Sequence, residues 1–177
     1  MSTFIEATPH VMDISGSNVL NQEQVPISNQ AFLLTASTLF RRPVFRDFSA
    51  ARSAASVHSM RWVWRDSQLL AWVLMPDQWH GLVALDQSDD LHQLMGRFKS
   101  ATAKSMDARF KCNGWLWGRG FQEQALSPDV DLRDAERHLI THPIRAGLVD
   151  EMGKYPYWNA VWVAAGNNTA AWPRSRT

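Results

Sequence analysis

Cysteine is almost missing from this chain, and the single Cys112 excludes an internal disulfide and fits a reducing compartment. Long apolar runs are missing as well. The longest, Leu69 to Met75, falls far short of the roughly 20 residues that span a bilayer. Residues 1–30 have neither Lys nor Arg and no apolar block, so no secretory leader is expected there and the protein is expected to be cytoplasmic. No Cys/His cluster has zinc-finger spacing. Tyrosine is scarce, with only Tyr155 and Tyr157.

What is present is a 177-residue chain, enough for one domain with a real core, with 45% hydrophobic and 20% charged residues. Its nine tryptophans either pack a core or offer faces on which unpaired bases stack. The net charge of +1 hides an uneven distribution, because all 18 basic residues lie after Phe40. From Met95 to Phe121 six bases (Arg97, Lys99, Lys104, Arg109, Lys111, Arg119) face one acid, Asp107, and from Glu123 to Glu151 seven acids face three Arg. A basic segment followed by an acidic one reads either as a DNA-facing surface beside a solvated helix or as ordinary surface charge.

Residues 1–30 are polar and without period and are expected to form a loose arm, as is the tail 164–177. Ala31 to Phe40 is an apolar run of strand length, and Arg46 to Met60 carries apolar residues at helical spacing. Trp62 to Trp64 reads as a short edge strand. Leu69 to Met75 and Trp79 to Leu85, joined by Pro76-Asp77, predict a hairpin near the middle of a sheet. Strand alternation points Gln78, His80, Leu82 and Ala84 one way, with Trp79, Gly81, Val83 and Leu85 opposite. Leu91, Leu94, Met95, Phe98 and Ala101 follow a helical stripe. Trp115 to Ala125 reads as a strand broken by Gly118 and Gly120, and a helix through Leu132, Ala135 and Leu139 is stopped by Pro143. This order predicts an α+β, ferredoxin-like sandwich with a central antiparallel sheet.

Four blocks, in order, carry a family resemblance: AWVLMPDQWHGLV (71–83), WGRGFQEQAL (117–126), HLITHPIRAGLV (138–149) and YPYWNAVW (155–162), with FRRPVF (40–45) a looser match. Together they resemble the REP-associated tyrosine transposases over residues 31–163. The resemblance implies a ferredoxin-like fold and action on single-stranded or hairpin DNA formed by repetitive palindromes. It also implies a divalent metal, Mg or Mn, held by two strand histidines, and a helix tyrosine that attacks the scissile phosphate.

The departures fall on the chemistry. The family's first metal histidine falls on Gln78, while the second is kept as His80; the nucleophilic tyrosine falls on His138, and the Asn of that block on His142. A Gln amide oxygen is a tolerable ligand for a hard ion and a weaker one for transition metals. His138 either attacks phosphorus in tyrosine's place or has a structural role, and His80 is either a surviving ligand or an ordinary strand histidine. Glu123 is either a further carboxylate ligand or a surface acid. The DNA-contacting candidates are Arg97, Lys99, Lys104, Arg119 and Arg145. The expectation is therefore an impaired transposase relative that binds hairpin DNA. The alternatives are an active strand transferase using His138 with Gln78 and His80, and a decayed frame that folds but binds nothing specific.

Overall fold

The structure, a computed structural model, describes residues 30–110 and 115–162, the side chains of 107–109 excepted. Of the expected arm only Gln30 is described, as the first residue of a strand; the expected tail and Lys111 of the basic stretch lie outside the described residues. Five strands form one sheet: β1 (Gln30–Ser37), β2 (Gln68–Leu74), β3 (Gln78–Leu85), β4 (Gln122–Ala125) and β5 (Trp158–Ala160). Their order is β4-β1-β3-β2-β5, and every neighbouring pair is antiparallel. The helices are α1 (Phe48–Ala55), α2 (Arg61–Trp64), α3 (Leu91–Phe110), α4 (Leu132–Ile140) and α5 (His142–Arg145). The α+β, ferredoxin-like sandwich read from the sequence is the architecture found, with helices on both faces.

The hairpin is the spine of the sheet. Met75 N donates to Gln78 O at 2.7 Å, so Pro76 and Asp77 make the whole turn and Leu74 pairs with Trp79. Alternation along β3 then splits the core. Trp79 and Val83 join Leu34, Phe98 and Met95 beneath α1 and α3, whereas Leu82 and Ala84 join Leu139 and Ile140 beneath α4. The Trp79 indole lies flat along its own strand over Gly81, where an added Cβ would meet ring carbon Cη2 at 2.3 Å. Any side chain at Gly81 would therefore tilt the largest ring of that core.

Three expectations need correction. Trp62 to Trp64 is helical α2, not an edge strand, because Trp64 donates its Nε1 to His58 O and packs on Trp79 and Phe98. Aromatic strand propensity yields there to tertiary packing. The strand expected over 115–125 shrinks to β4: only an isolated bridge joins Trp117 to Thr38, and Gly120 adopts a left-handed φ of 68° that no strand accepts. The helix expected over 46–60 is α1 with single 3-10 turns at 44–46 and 56–59. Strand β5 had no strand signal: three residues are too few to show a period.

Candidate functional site

On the α4 face, a cleft of about 470 Å³ opens between the strand ends and the helix that faces them. Gln78 and His80 of β3, Thr35 of β1, Gln122 to Gln124 of β4, His138 and Leu139 of α4 and His142 of α5 line it. The sequence reading put Gln78 and His80 on one strand face, and the cleft brings those two together with His138 and His142. The register explains how. Thr35 lies opposite His80 and Ser37 opposite Gln78, so a polar stripe crosses two otherwise apolar strands.

Each polar side chain has a defined partner. His80 Nδ1 and Thr35 Oγ1 are 2.9 Å apart, and Gln78 Nε2 donates to Ser37 Oγ at 3.1 Å. His142 Nδ1 is 2.6 Å from Leu139 O, in the last turn of α4. The exposed Arg145 donates Nη1 to His138 Nε2 at 2.6 Å. A guanidinium only donates, so His138 Nε2 must be the unprotonated acceptor. Helix α4 is held in place by Asp131, whose carboxylate caps Arg133 N, and by Glu136, which accepts from Trp162 N.

The electrostatics keep the His80 and His142 imidazoles neutral. Burial, then the neighbouring His142 and Arg41, push the His80 pKa down to about 3. Burial also lowers that of His142, with Arg145 and His138 adding to it against the hydrogen bond to Leu139 O.

As placed, these residues do not fit a divalent ion. An ion must lie in the plane of each imidazole that ligates it, about 2.1 Å from the nitrogen. The His80 and His142 rings are nearly parallel, 24° apart with centroids at 4.4 Å, so their planes do not meet near either ring. His138 has its Nε2 occupied by Arg145. Among the described residues no three His, Cys, Asp or Glu side chains cluster as metal ligands do. Glu123 lines the cleft, but its register partner Leu34 belongs to the core on the far face.

The basic candidates divide. Arg145 is at the cleft. Arg97 and Lys99 lie on α3, across the sheet. Arg97 spans Asp89 at 3.1 and 2.5 Å and also donates to Val63 O, and its side chain is only 13% exposed. Lys99 donates to the carbonyls of Gly118 and Gly120. Both hold loops onto α3, which accounts for their charge without DNA. Lys104 and Arg119 are exposed, Lys104 on α3 and Arg119 ahead of β4. Sequence reasoning passed over Thr35, Ser37 and Arg41. Thr35 and Ser37, polar residues two apart in the apolar run 31–40, were the available signal; for Arg41 there was none, since its nearness to His80 comes from the fold.

Neither tyrosine lines the cleft. Tyr155 donates its hydroxyl to Leu74 O at 2.6 Å, and burial pushes its pKa up; Tyr157 donates to Phe48 O at 3.3 Å.

A family model described as "Transposase IS200 like" matches residues 28–129, from β1 through β4, and stops before α4. Among solved structures, a REP-associated tyrosine transposase bound to a REP hairpin is similar at 20% identity. Its TM-score is 0.62, over 85% of this chain and 88% of that one. A Deinococcus radiodurans R1 chain given a provisional transposase description shares 19% identity, with a TM-score of 0.49, over 68% of this chain and 85% of that one. No curated protein matches.

Proposed function

The chain belongs to the IS200-like transposase family, and we propose that it binds single-stranded or hairpin DNA of the REP type at the α4-face cleft without cutting it. One observation carries the reading: the position where the resemblance puts the nucleophilic tyrosine holds His138, whose Nε2 lone pair is taken by Arg145. A nitrogen whose lone pair accepts a guanidinium proton is not free to attack phosphorus. The chain's two tyrosine hydroxyls donate to backbone carbonyls elsewhere. Binding asks less of the site. Arg145 is a cation at the cleft mouth, and the neighbouring Gln and His side chains offer hydrogen-bonding groups to a sugar-phosphate backbone. The fold likeness to a transposase bound to a REP hairpin supports this choice of ligand.

The test is a denaturing gel of protein with labelled REP-type hairpin and Mn²⁺, beside a native titration of the same DNA. Wild type should bind the hairpin more tightly than an unrelated single strand and leave no slow-migrating adduct. The double reversion Gln78→His with His138→Tyr should form one, and each single reversion should do little, because such groups act as a unit. An adduct from wild type defeats the non-cutting reading in favour of the strand transferase. Equal, weak binding to every strand favours a fold that has lost its ligand.

A further inference from the structure

Between β1 and α1 the chain makes a tight excursion at 38–42. Phe40 there has φ 55° and ψ 25°, and Arg41 follows with φ 55°, two consecutive non-glycine residues in the left-handed region that L side chains avoid. The excursion is fixed from several directions. Thr38 N donates to Asp77 O, Leu39 N to Leu116 O, and Thr38 Oγ1 to Arg42 O, while Arg41 Nε reaches Asp77 Oδ2 at 2.8 Å. All this restraint delivers an unusual result: the Phe40 side chain stands 85% exposed, the most exposed large hydrophobic residue described. Left-handed strain that the surroundings over-determine marks functional segments.

The environment of that ring selects its partner. Arg41, Arg42 and Arg46 lie within seven residues of chain, with Asp47 the first acid after them. Both Arg41 Nε and Thr38 N reach Asp77, the residue just before Gln78 of the cleft, so the excursion borders the cleft. A solvated aromatic among arginines, beside a nucleic-acid cleft, suits an unpaired base, whose π face stacks on the ring while its phosphates meet the cations. Trp115, 69% exposed on the segment that pairs with Leu39, adds a second aromatic to the same rim.

We propose that Phe40 is a stacking platform for one unpaired base in the single-stranded segment flanking a bound hairpin. The proposal rests on the DNA-binding reading above and assigns a specificity role to a residue outside the cleft. Its chemistry favours any base over none, so it reads strand state rather than sequence.

Two labelled REP-type hairpins test it, one blunt and one with a short unpaired flank carrying 2-aminopurine. Wild type should bind the flanked hairpin more tightly, and the probe's fluorescence should fall on stacking. Phe40→Ala should lose about tenfold on the flanked hairpin, abolish the quenching and leave blunt-hairpin affinity unchanged; Phe40→Trp should keep both signals. Because the ring is exposed, Phe40→Ala should melt with wild type. A Phe40→Ala protein that retains the flank-dependent gain overturns the platform and leaves the DNA-binding reading standing. Equal weakening on both hairpins also overturns it. Wild type that binds neither hairpin ends both readings. A change in oligomeric state with the gain intact assigns the ring to a second copy of the chain and overturns the proposal.

Discussion

His58 and His80 lie against opposite faces of one sheet, and each has its pKa pushed down to about 3, mainly by burial. The resemblance ends there. His58 is boxed by rings, stacked on Trp72 with centroids 3.7 Å apart and tilted against Phe98. Trp79 Nε1 donates to its Nε2 at 2.8 Å, which leaves the proton on Nδ1 to go to Ala55 O. Both nitrogens are committed, so His58 is part of the packing. His80 has its Nδ1 committed to Thr35, and it faces the cleft beside His142. A depressed pKa therefore does not identify a functional histidine; what does is whether a ring nitrogen still faces open space.

The sharpest way to break this contrast is to truncate each ring. His58→Ala should cost on the order of 4 kcal/mol, since it opens a cavity among aromatics and strands the Trp79 N–H without an acceptor. His80→Ala should cost about 1 kcal/mol, because its ring borders a cleft that water already reaches. Chemical denaturation measures both, and equal losses would erase the distinction between the two faces.

The arginines extend the comparison. Arg97→Met removes one partner of a nearly buried ion pair and should cost about 3 kcal/mol while DNA affinity per folded molecule stays at the wild-type level. Arg145→Met should leave stability unchanged, weaken hairpin binding and reduce the salt slope by about one. Titrations at several salt concentrations separate the two; loss of affinity in Arg97→Met that is not explained by unfolding would put DNA on the α3 face.

Acid provides the most graded test. Both histidines take up a proton near 6.5 when unfolded and resist it to about 3 when folded. Between those values the unfolded state holds more protons, so stability is complete above the upper value and falls as pH falls through the window. Each histidine should contribute a slope of about 1.4 kcal/mol per pH unit. His80→Gln should flatten the profile by one such increment. Denaturation curves at a series of pH values read this, and identical slopes for the variant and wild type would mean that His80 is protonated as readily folded as unfolded.

Much of this was legible in residues 69–85. A seven-residue apolar run, a Pro-Asp turn and a second run fix a central hairpin, and period two then puts Gln78 and His80 on one side. That Gln78 and His138 stand where the resemblance implies a histidine and a tyrosine is likewise read from the chain alone. Short elements were less legible. β5 has three residues, and Trp62 to Trp64 follows its neighbours rather than its propensity.

Local rules, acting over a few residues, settled which side chains share a strand face, that a helix follows the acidic turn ending at Asp90, and which positions depart from the family resemblance. Packing over distance set the rest: α4 lies over the β3 stripe so that His138 meets Gln78 and His80 across a cleft, Arg145 occupies the His138 nitrogen, and Arg97 is paired with Asp89 across the sheet. Those pairings join residues far apart in the chain or on separate elements, and the packing of helices onto a twisted sheet, which no local period encodes, sets them.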